Sequence, residues 1–435
     1  MTDKELFKEK KVAFHTLGCK LNFAESSTIG KELLSQGFQV AQFGETADLC
    51  IINTCSVTET ADKKDRQAIK QMINKHPNAY VVVIGCYAQL KPEEIAQIEG
   101  VDLILGTQNK FDLPDLLSKM DKKRETQILH TSRKDINRFF PSCTRGDRTR
   151  YWLKVQDGCD NFCSYCTVPI ARGKSRNGSI ESTVKQAQEA ALEGAKEIVI
   201  SGVNIGDFGK TTGETLLQLI QALESVEGIE RYRISSIEPD LLSEEIIHHI
   251  AQSRKFVPHF HIPLQSGCDK VLSLMKRHYD TNLFRKKIEL INHEMPNAFI
   301  GIDVIVGTNG ETEEDFAETV QFIESLAIAQ LHVFSYSERA NTQALKITGK
   351  VPYKEKKRRS EILLSLSEEK RLKFYQSQIG KTLSILWEES KKGDKMHGFS
   401  ENYIVVEIPN DPNLVNQITQ VTPTQFNADK SALTM

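Results

Sequence analysis

The sequence has no long apolar run, and this absence argues against a membrane-spanning helix. None of its stretches approaches the ~18 consecutive apolar residues that such a helix needs. The first residues, Met1–Lys11, are charged and lack the apolar core of a secretion signal. We therefore expect a protein that has no membrane contact and works in the cytoplasm.

An excess of charge of either sign is also absent. The 56 lysines and arginines nearly balance the 58 aspartates and glutamates, which leaves a net charge of −2. A protein without an overall basic field does not attract nucleic acid along its whole surface. Any contact with RNA must therefore depend on local groups of basic residues.

Cysteine, in contrast, occurs nine times. In a reducing compartment these residues are expected as metal ligands or core residues rather than disulfides. Three of them, Cys159, Cys163 and Cys166, have C-x3-C-x2-C spacing in the stretch GCDNFCSYC. Three thiolates are one fewer than a 4Fe–4S cluster needs, so one iron stays open for another ligand. A structural zinc site, a disulfide pair and a chance cluster are the alternatives, although the second Cys or His pair that zinc usually requires does not follow.

The first 120 residues alternate apolar runs with amphipathic stretches. The runs are Val12–Leu17, Leu49–Asn53, Tyr80–Ile84 and Val101–Leu105, with a weaker one near Phe38–Phe43, and the helical stretches are Phe23–Gln36, Thr60–Lys75, Pro92–Glu99 and Phe111–Met120. This alternation predicts an open parallel sheet with helices on both faces.

Three further cysteines follow three of these predicted strands. Cys19, Cys55 and Cys86 each come directly after a strand, and parallel sheets place their ligands beyond the carboxyl ends of the strands. We therefore expect the three thiols to meet at one edge and to share a metal site. Core packing is the alternative, since free cysteine is often buried; it explains Cys50 better, because Cys50 lies at the start of a strand.

Two glycines adjoin this second trio. Gly18 and Gly85 directly precede Cys19 and Cys86. Because glycine has no side chain, we expect them to let the backbone approach a bulky inorganic ligand.

The middle third of the sequence repeats one strand–helix pattern six times. The strands are expected at Leu153–Gln156, Glu197–Val203, Arg231–Ile237, His259–Leu264, Phe299–Val306 and Leu331–Tyr336, and the helices at Ser182–Glu193, Glu214–Val226, Glu244–Gln252, Thr281–His293 and Glu313–Leu326. Eight such units close a barrel. Six predict a partial (β/α)6 barrel that is open at the side.

The last part changes pattern. A charged helix is expected from Lys354 to about Gln378, and either a solvated face or an RNA contact explains its charge. Alternating runs follow at Thr382–Trp387, Tyr403–Glu407, Gln417–Thr422 and Ala432–Thr434. They predict a small β-barrel.

Taken together, these residues resemble the radical S-adenosylmethionine (SAM) methylthiotransferases over about residues 10–435. The resemblance implies an α/β multidomain chain with three domains: residues 10–122, which hold an auxiliary 4Fe–4S cluster on Cys19, Cys55 and Cys86; residues 139–375, which hold the SAM-cleaving 4Fe–4S cluster; and residues 376–435, a TRAM-like β-barrel that binds tRNA. One SAM supplies the methyl group and another is cleaved to a radical that takes hydrogen from the substrate.

The resemblance also suggests where SAM binds. The residues after the predicted barrel strands are the candidates, because functional loops lie at those ends; they are Gly202, Val203, Asn204, Ser236, Glu238, Gln265 and Asp303.

Basic and aromatic residues near the barrel mouth and in the last domain are candidates for RNA contacts. They are Arg172, Lys174, Arg176, Lys276, Arg277 and Tyr403. Basic side chains can hold phosphates, and an aromatic ring can stack on a base. Solvated surface charges explain the basic residues equally well, and a core position explains Tyr403 equally well.

The stretch Thr16–Asn22 (TLGCKLN) is similar to the branch of this family that acts on N6-threonylcarbamoyladenosine at position 37 of tRNA. The isopentenyladenosine branch, with TYGCQMN expected there, is the alternative, and methylthiolation of a ribosomal protein aspartate is another. A non-catalytic iron–sulfur RNA-binding module is a hypothesis of a different class. An electron donor similar to flavodoxin or ferredoxin and a monomeric state are also expected.

One stretch departs from the family pattern. Where the family usually has GFPGET, this chain has GTNGET at Gly307–Thr312. Without the proline, this loop is expected to be less restrained.

Overall fold

A computed structural model describes residues 7–117, 125–144, 149–390 and 393–435 of the 435-residue chain. Three parts, each built on β-sheet, follow one another along the sequence. Within the described residues, no helix has both the length and the apolar character that crossing a membrane requires.

The N-terminal part contains six strands. They are β1 (Lys11–Thr16), β2 (Gln39–Val40), β3 (Leu49–Thr54), β4 (Tyr80–Gly85), β5 (Leu103–Leu105) and β6 (Gln127–Leu129). All pairs are parallel, in the order β2-β1-β3-β4-β5-β6. Strands β3 and β4 are buried at every residue, because helices cover both faces of the sheet. The predicted parallel sheet is confirmed, but β6 was missed and lies beyond the predicted domain limit at residue 122, which is itself outside the described residues.

Five helices accompany this sheet. They are α1 (Lys20–Ser35), α2 (Glu59–Lys75), α3 (Cys86–Leu90), α4 (Pro92–Ala96) and α5 (Leu113–Leu116). Leu33 of α1 packs on one face of the sheet, and Ile69 of α2 packs on the other with Cys50. Cys50 is fully buried, so its interpretation as a core residue is confirmed. The helix predicted over Phe111–Met120 is shorter, and residues 118–120 lie outside the described part.

The central part contains nine strands. They are β7 (Ser142–Cys143), β8 (Arg150–Lys154), β9 (Gln156–Asp157), β10 (Arg176–Asn177), β11 (Glu197–Ser201), β12 (Arg231–Ile234), β13 (His259–Gln265), β14 (Phe299–Val306) and β15 (Gln330–Ser335). Two parallel groups, β8-β11-β12 and β13-β14-β15, are joined by a bridge between Ser236 and His261. Because β8 and β15 do not pair in the described residues, the six strands form an open, partial barrel, as predicted. The short strand β7 pairs with the outer edge of β8 and was not predicted.

The outer layer of this barrel is helical. In the described residues its helices are α7 (Ile180–Leu192), α8 (Leu216–Glu224), α9 (Glu244–Gln252), α10 (Asp269–Leu274), α11 (Thr281–Glu294), α12 (Glu313–Ser325) and α13 (Tyr353–Gln376), whereas α6 (Val168–Arg172) packs against α3 of the N-terminal part. Side chains of a strand alternate between its two faces. On β13, Phe260 and Ile262 pack in the core with these helices, so His261 and Gln265 lie on the opposite, inner face of the barrel.

The C-terminal part is one six-stranded sheet. Its strands are β16 (Leu383–Trp387), β17 (Lys395–Ser400), β18 (Val405–Pro409), β19 (Ile418–Val421), β20 (Gln425–Phe426) and β21 (Leu433–Thr434). They lie in the order β19-β16-β17-β18-β21-β20, and all pairs except β18–β21 are antiparallel. Trp387 and Val406 lie in its core. The sheet agrees with the predicted small β-domain, although β17 and β20 were missed, and the TRAM-like assignment stays a prediction.

Candidate active site between two cysteine trios

The first cysteine trio lies at one edge of the N-terminal sheet. Cys19 directly precedes α1, Cys55 directly follows β3, and Cys86 is the first residue of α3 after β4. Strands β1, β3 and β4 are neighbours, so their carboxyl ends deliver the three residues to the same place. Cys19 is exposed, whereas Cys55 and Cys86 are partly buried.

The glycines beside this trio serve the protein's own packing. A Cβ atom on Gly18, whose φ is +99°, would lie 2.9 Å from the Cβ atom of Cys55, and a Cβ atom on Gly85 would lie 2.5 Å from the carbonyl oxygen of Thr54. Both residues therefore make room for a neighbouring strand end, and a Cβ atom on Gly18 would also lie 3.3 Å from Cys55 Sγ. Their expected approach to an inorganic ligand stays a prediction.

Two thiols of this trio have raised pKa values. Burial, together with the neighbouring Cys86, raises the pKa of Cys55 to about 12. Burial also raises the pKa of Cys86, against the opposing effect of Arg172. Such thiols are protonated at neutral pH unless a metal ion offsets the cost of the thiolate. Three thiols delivered by neighbouring strand ends fit an iron–sulfur cluster with one open iron.

The second trio lies in the loop between β9 and α6. The N–H of Cys166 donates to the carbonyl oxygen of Cys163 at 3.0 Å, which closes a tight turn. Arg277 Nη1 lies 3.0 Å from Cys163 Sγ, and Asn161 N–H lies 3.5 Å from Cys159 Sγ. Burial raises the pKa of Cys159 and of Cys166 to about 12. This donor set fits a second cluster for the same reason as the first.

Unpaired polar atoms at neighbouring strand ends indicate where a polar ligand would bind. The side-chain nitrogen and oxygen of Asn204, Oγ of Ser235 and Oε1 of Gln265 are buried and have no hydrogen-bond partner among the described residues. These residues follow β11, follow β12 and end β13, respectively. Buried polar groups are nearly always paired in native proteins, so this arc fits the polar groups of SAM.

Two backbone N–H groups in the stretch predicted to bind SAM are already used. Gln156 Oε1 accepts the N–H groups of Val203 and Asn204 at 2.9 and 2.8 Å. A Cβ atom on Gly202 would lie 2.9 Å from the same oxygen. Gln156 therefore shapes this loop, and the side chain of Asn204, rather than these backbone groups, is available to a ligand.

The remaining predicted SAM contacts lie near the second trio. Glu238 pairs with Arg277, and burial, opposed by Arg277, raises the pKa of Glu238 to about 7. Ser236 bridges by its backbone to His261. Asp303 Oδ1 lies 2.7 Å from His261 Nε2.

A cavity of about 280 Å³ connects the two halves of the molecule. It is lined by Val57, Thr58, Tyr165, Cys166, Thr167, Val168, Gln265, Asp303, Ile305, Phe334, Ser335, Tyr336 and Ser337. Val57 and Thr58 follow Cys55 of the first trio by two and three residues, whereas Cys166 belongs to the second. The cavity therefore lies between the two cysteine sites.

Two of the predicted RNA contacts are structural instead. Arg172 and Arg176 are only 2% and 4% exposed. Arg172 bonds to Asp157 at 2.9 Å and to Glu25 at 3.1 Å, and Arg176 bonds to Asp157 at 3.1 Å. Their burial contradicts the prediction that they hold phosphates.

The other basic residues differ from one another. Lys174 and Lys276 are exposed and stay predicted RNA contacts. The side chain of Arg277 is 3% exposed and bonds to Glu238 and Cys163, which contradicts a role in phosphate binding.

Tyr403 joins the C-terminal sheet to the barrel. Its ring lies 4.7 Å from that of His259, 5.7 Å from that of Phe299 and 4.9 Å from the guanidinium carbon of Arg233. With these neighbours the half-buried ring has no free face for a base. The core interpretation of Tyr403 therefore fits the structure, and base stacking does not.

Charged residues missed in the sequence hold the first two parts together. Glu25 of α1 accepts from Lys110 at 2.5 Å and from Lys154 at 2.7 Å, and these side chains are completely buried. Arg172 Nη2 also donates to Asn22 Oδ1 at 2.7 Å. We call Glu25, Lys110, Lys154, Asp157, Arg172 and Arg176 the buried charge network. Composition shows charge but not pairing, so no sequence signal marked it.

A second link lies beside Cys55. Arg339, which follows β15, bonds to Asp62 of α2 at 2.9 Å and to Ser56 Oγ at 2.7 Å. All three residues are buried. The barrel is thus fixed to the N-terminal sheet on both sides of the cavity.

The loop Gly307–Thr312 is held in place without the usual proline. Glu311 accepts from the N–H of Gly307 and from Arg359, and Asn309 Nδ2 donates to the carbonyl oxygen of Ala344 at 3.0 Å. Asn309 is 5% exposed. These contacts contradict the expected loss of restraint.

A group of three polar residues next to the cavity was also missed. His261 of β13, Asp303 of β14 and His332 of β15 bring one ligand atom each to within 4.8 Å of one another. The alternation of HFHIPLQ and LHVFS, which places histidine on the inner face, is the signal that could have found it.

Two family models match the chain. The one described as Uncharacterized protein family UPF0004 matches residues 11–106, and the Radical SAM superfamily matches residues 153–323. The solved structure of the radical SAM methyltransferase TsrM from Kitasatospora setae shares the fold, with a TM-score of 0.57 over 75% of each chain at 13% identity. The fold and the Cys159–Cys163–Cys166 site define a radical SAM enzyme.

Relatives that match nearly the whole chain identify its family among the radical SAM enzymes. The threonylcarbamoyladenosine tRNA methylthiotransferases MtaB of Aquifex aeolicus and Bacillus subtilis are each 38% identical, over 91% and 94% of this chain and 96% and 93% of their own. The tRNA-2-methylthio-N(6)-dimethylallyladenosine synthase of Syntrophus aciditrophicus is 34% identical over 91% of this chain and 85% of its own. The chain belongs to the radical SAM tRNA methylthiotransferase family.

Proposed function

We propose that the protein inserts a methylthio group at C2 of N6-threonylcarbamoyladenosine next to the anticodon of tRNA. The observation that carries this proposal is the cavity lined by Cys166 of the second trio and by Val57 and Thr58, which follow Cys55 of the first. The two MtaB relatives are named for this substrate and are more similar to this chain than the dimethylallyladenosine synthase cited above, which supports this choice of base.

Two 4Fe–4S clusters and SAM are the cofactors of this proposal. Cys159, Cys163 and Cys166 would hold the cluster that supplies an electron for SAM cleavage, and Cys19, Cys55 and Cys86 would hold the auxiliary cluster. Asn204, Ser235 and Gln265 would bind the polar groups of SAM, since their side-chain atoms are buried and unpaired in the described residues. Glu238 would complete this site next to Arg277, whereas Asp303, which was predicted for SAM, is bonded to His261 and is assigned to the substrate below.

The remaining groups would position the reaction. Gln156 fixes the loop after β11 by accepting two N–H groups. Tyr165 and Phe334 add apolar wall to the cavity, which excludes water from the reacting base.

Mass spectrometry of tRNA nucleosides tests the reaction and the substrate together. Reconstituted protein, SAM and a reductant are incubated without oxygen with tRNA that carries threonylcarbamoyladenosine but no methylthio group. We expect the methylthio mass gain on that nucleoside. A mass gain on isopentenyladenosine alone would assign the protein to the isopentenyladenosine branch of the family. SAM cleavage without any tRNA product would indicate a protein substrate.

The exposed residues Lys174 and Lys276 are proposed to contact tRNA phosphates at the barrel mouth. Changing both to alanine should weaken tRNA binding by about threefold to tenfold and lower the slope of log K against log salt by about 2, because each lysine neutralises about one phosphate. Filter binding at several salt concentrations measures both quantities. The matched control changes Lys64 and Lys185, which are equally exposed but lie on α2 and α7, and an equal loss in the control would contradict the assignment.

The partners and setting of the enzyme follow from this chemistry. We propose tRNA as the macromolecular substrate, a flavodoxin- or ferredoxin-like protein as the electron donor, and a monomer as the working unit. All nine cysteines lie in the described residues and are free thiols there. Free thiols and a tRNA substrate support the cytoplasm as the compartment.

A further inference from the structure

Three polar side chains project from the inner faces of neighbouring barrel strands. His261 Nε2 lies 2.7 Å from Asp303 Oδ1, and the rings of His261 and His332 lie 5.0 Å apart in an edge-on arrangement. The side chains of His261 and Asp303 are 23% and 19% exposed, whereas His332 is more open. The group is therefore accessible at His332, and the bond between His261 and Asp303 holds its less exposed part in place.

This group borders the cavity between the cysteine trios. Asp303 lines that cavity, and so does Phe334, which follows His332 by two residues on the same face of β15. The opposite wall comes from Val57 and Thr58 of the N-terminal part. A base held in the cavity would therefore have the three polar residues at its edge.

The chemistry of the proposed substrate explains why polar residues would be needed there. In adenine, C2 and the carbon that carries N6 flank the same ring nitrogen, so a group that acts on C2 lies close to whatever N6 carries. The threonylcarbamoyl group has N–H and hydroxyl donors as well as a carboxylate. The isopentenyl group has no polar atom.

We propose that His261, Asp303 and His332 form the specificity-determining site that binds the threonylcarbamoyl group of the substrate. His332 donates a hydrogen bond to its carboxylate, and the free oxygen of Asp303 accepts one from its N–H or hydroxyl group. His261 is a positioning residue, because its bond to Asp303 Oδ1 fixes that carboxylate. This inference rests on the proposed function and names the residues that select its substrate.

The protonation state of His332 agrees with a donor role. Burial, with additional effects from His261 and Lys20 and against the opposing effect of Asp303, lowers the pKa of His332. The imidazole is therefore neutral at pH 7, with one N–H group to donate.

Discrimination follows from the cost of unpaired polar groups. A site built to hydrogen-bond a substrate rejects an analogue that lacks those groups much more strongly than an apolar pocket rejects an extra methylene. An isopentenyl group at this position would leave His332 and the second carboxylate oxygen of Asp303 without a partner from the substrate. Because His332 is partly open to water, the expected discrimination from this residue is about tenfold to a hundredfold rather than the larger values of closed sites.

The test compares two variants on two tRNAs. His332→Phe removes the donor and keeps an aromatic ring of similar size, whereas His332→Gln keeps an N–H donor. We measure kcat/KM with tRNA bearing threonylcarbamoyladenosine and with tRNA bearing isopentenyladenosine. The ratio is kcat/KM with the threonylcarbamoyladenosine tRNA divided by kcat/KM with the isopentenyladenosine tRNA. His332→Phe should lower this ratio at least about tenfold, whereas His332→Gln should keep most of it. The control is His293→Phe, at an exposed histidine on the outer helix α11, and it should leave the ratio unchanged.

The ratio separates this role from a structural one, because a damaged fold lowers both values together. An unchanged ratio in His332→Phe, with wild-type protein that modifies threonylcarbamoyladenosine, would overturn the inference alone. Wild-type protein that modifies only isopentenyladenosine would overturn the proposed substrate and the inference together.

Elemental analysis gives a further check: one equivalent of zinc or manganese that is lost in His332→Phe would assign the three residues to a metal ion and overturn direct recognition.

Discussion

Replacing Cys19, Cys55 and Cys86 with alanine removes about half of the bound iron but leaves reductive cleavage of SAM intact. The reason is that the two cysteine trios belong to different folds. The first lies at the edge of the N-terminal sheet, and the second lies in a loop of the barrel with its own polar arc for SAM. Formation of methylthiolated tRNA is expected to fall to background, because the proposed reaction needs both clusters.

The reciprocal change gives the opposite pattern for SAM. Replacing Cys159, Cys163 and Cys166 with alanine also removes about half of the iron, but it abolishes SAM cleavage as well as tRNA modification. Iron content, the yield of 5′-deoxyadenosine and nucleoside mass spectra measure the three outcomes. Cys143→Ala is the control, since Cys143 is buried on β7, and it should keep full iron. An unchanged iron content after loss of the first trio would contradict the proposed auxiliary cluster.

Glu25→Gln should lower the free energy of unfolding by about 3–5 kcal/mol, because it leaves buried cations without their partner. The buried charge network contains four cationic side chains and only two carboxylates, Glu25 and Asp157. After the change, Lys110 and Lys154 lose their closest shared anion. Urea unfolding of the reconstituted protein measures the loss. Glu230→Gln, which breaks the half-exposed pair with Lys196, is the control and should cost about 0–1 kcal/mol.

The pH dependence of this loss has a definite sign. The pKa values of Glu25 and Asp157 lie below their usual range, because the surrounding cations outweigh the effect of burial. A carboxyl group whose pKa is depressed by folding stabilises the fold above the pKa of the unfolded state, which is about 4. This stabilisation is lost as pH falls through the pKa of the folded state. The difference between wild type and Glu25→Gln should therefore shrink as the solution becomes more acidic than about pH 4. It should also become smaller at alkaline pH, because burial lowers the pKa of Lys110 and Glu25 opposes this effect. A difference that stayed unchanged between about pH 5 and about pH 3 would contradict the network as the cause.

Strand positions and the cysteine sites could be predicted because each depends on local pattern. The apolar run Tyr80–Ile84 became a strand buried at every residue, and the rule that ligands lie beyond strand ends placed Cys19, Cys55 and Cys86 together. Short strands such as β6 and β20 escaped prediction, since two or three residues carry too little periodicity. Their pairing is decided by tertiary contacts.

Residues whose role depends on a distant partner could not be predicted. Arg172 was expected at the surface, but it bonds to Glu25, which lies 147 positions earlier. Gln156 supports a loop 47 positions later, and Tyr403 packs against the barrel across a domain boundary. In each case the sequence shows the functional group, and only the fold shows what that group contacts.

Helix α1 has a consequence for how the tRNA must approach. Cys19 directly precedes this helix and Glu25 is its sixth residue, so the two lie about 9 Å apart along its axis. Because Glu25 is bonded to Lys154 and Arg172 of the barrel, the separation between the two cysteine sites is fixed before substrate arrives. This anchoring predicts a target that enters a preformed gap rather than two lobes that close around it. We then expect the adenosine to swing out of the stacked anticodon loop, so that the RNA provides the movement at a cost of a few kcal/mol in lost stacking.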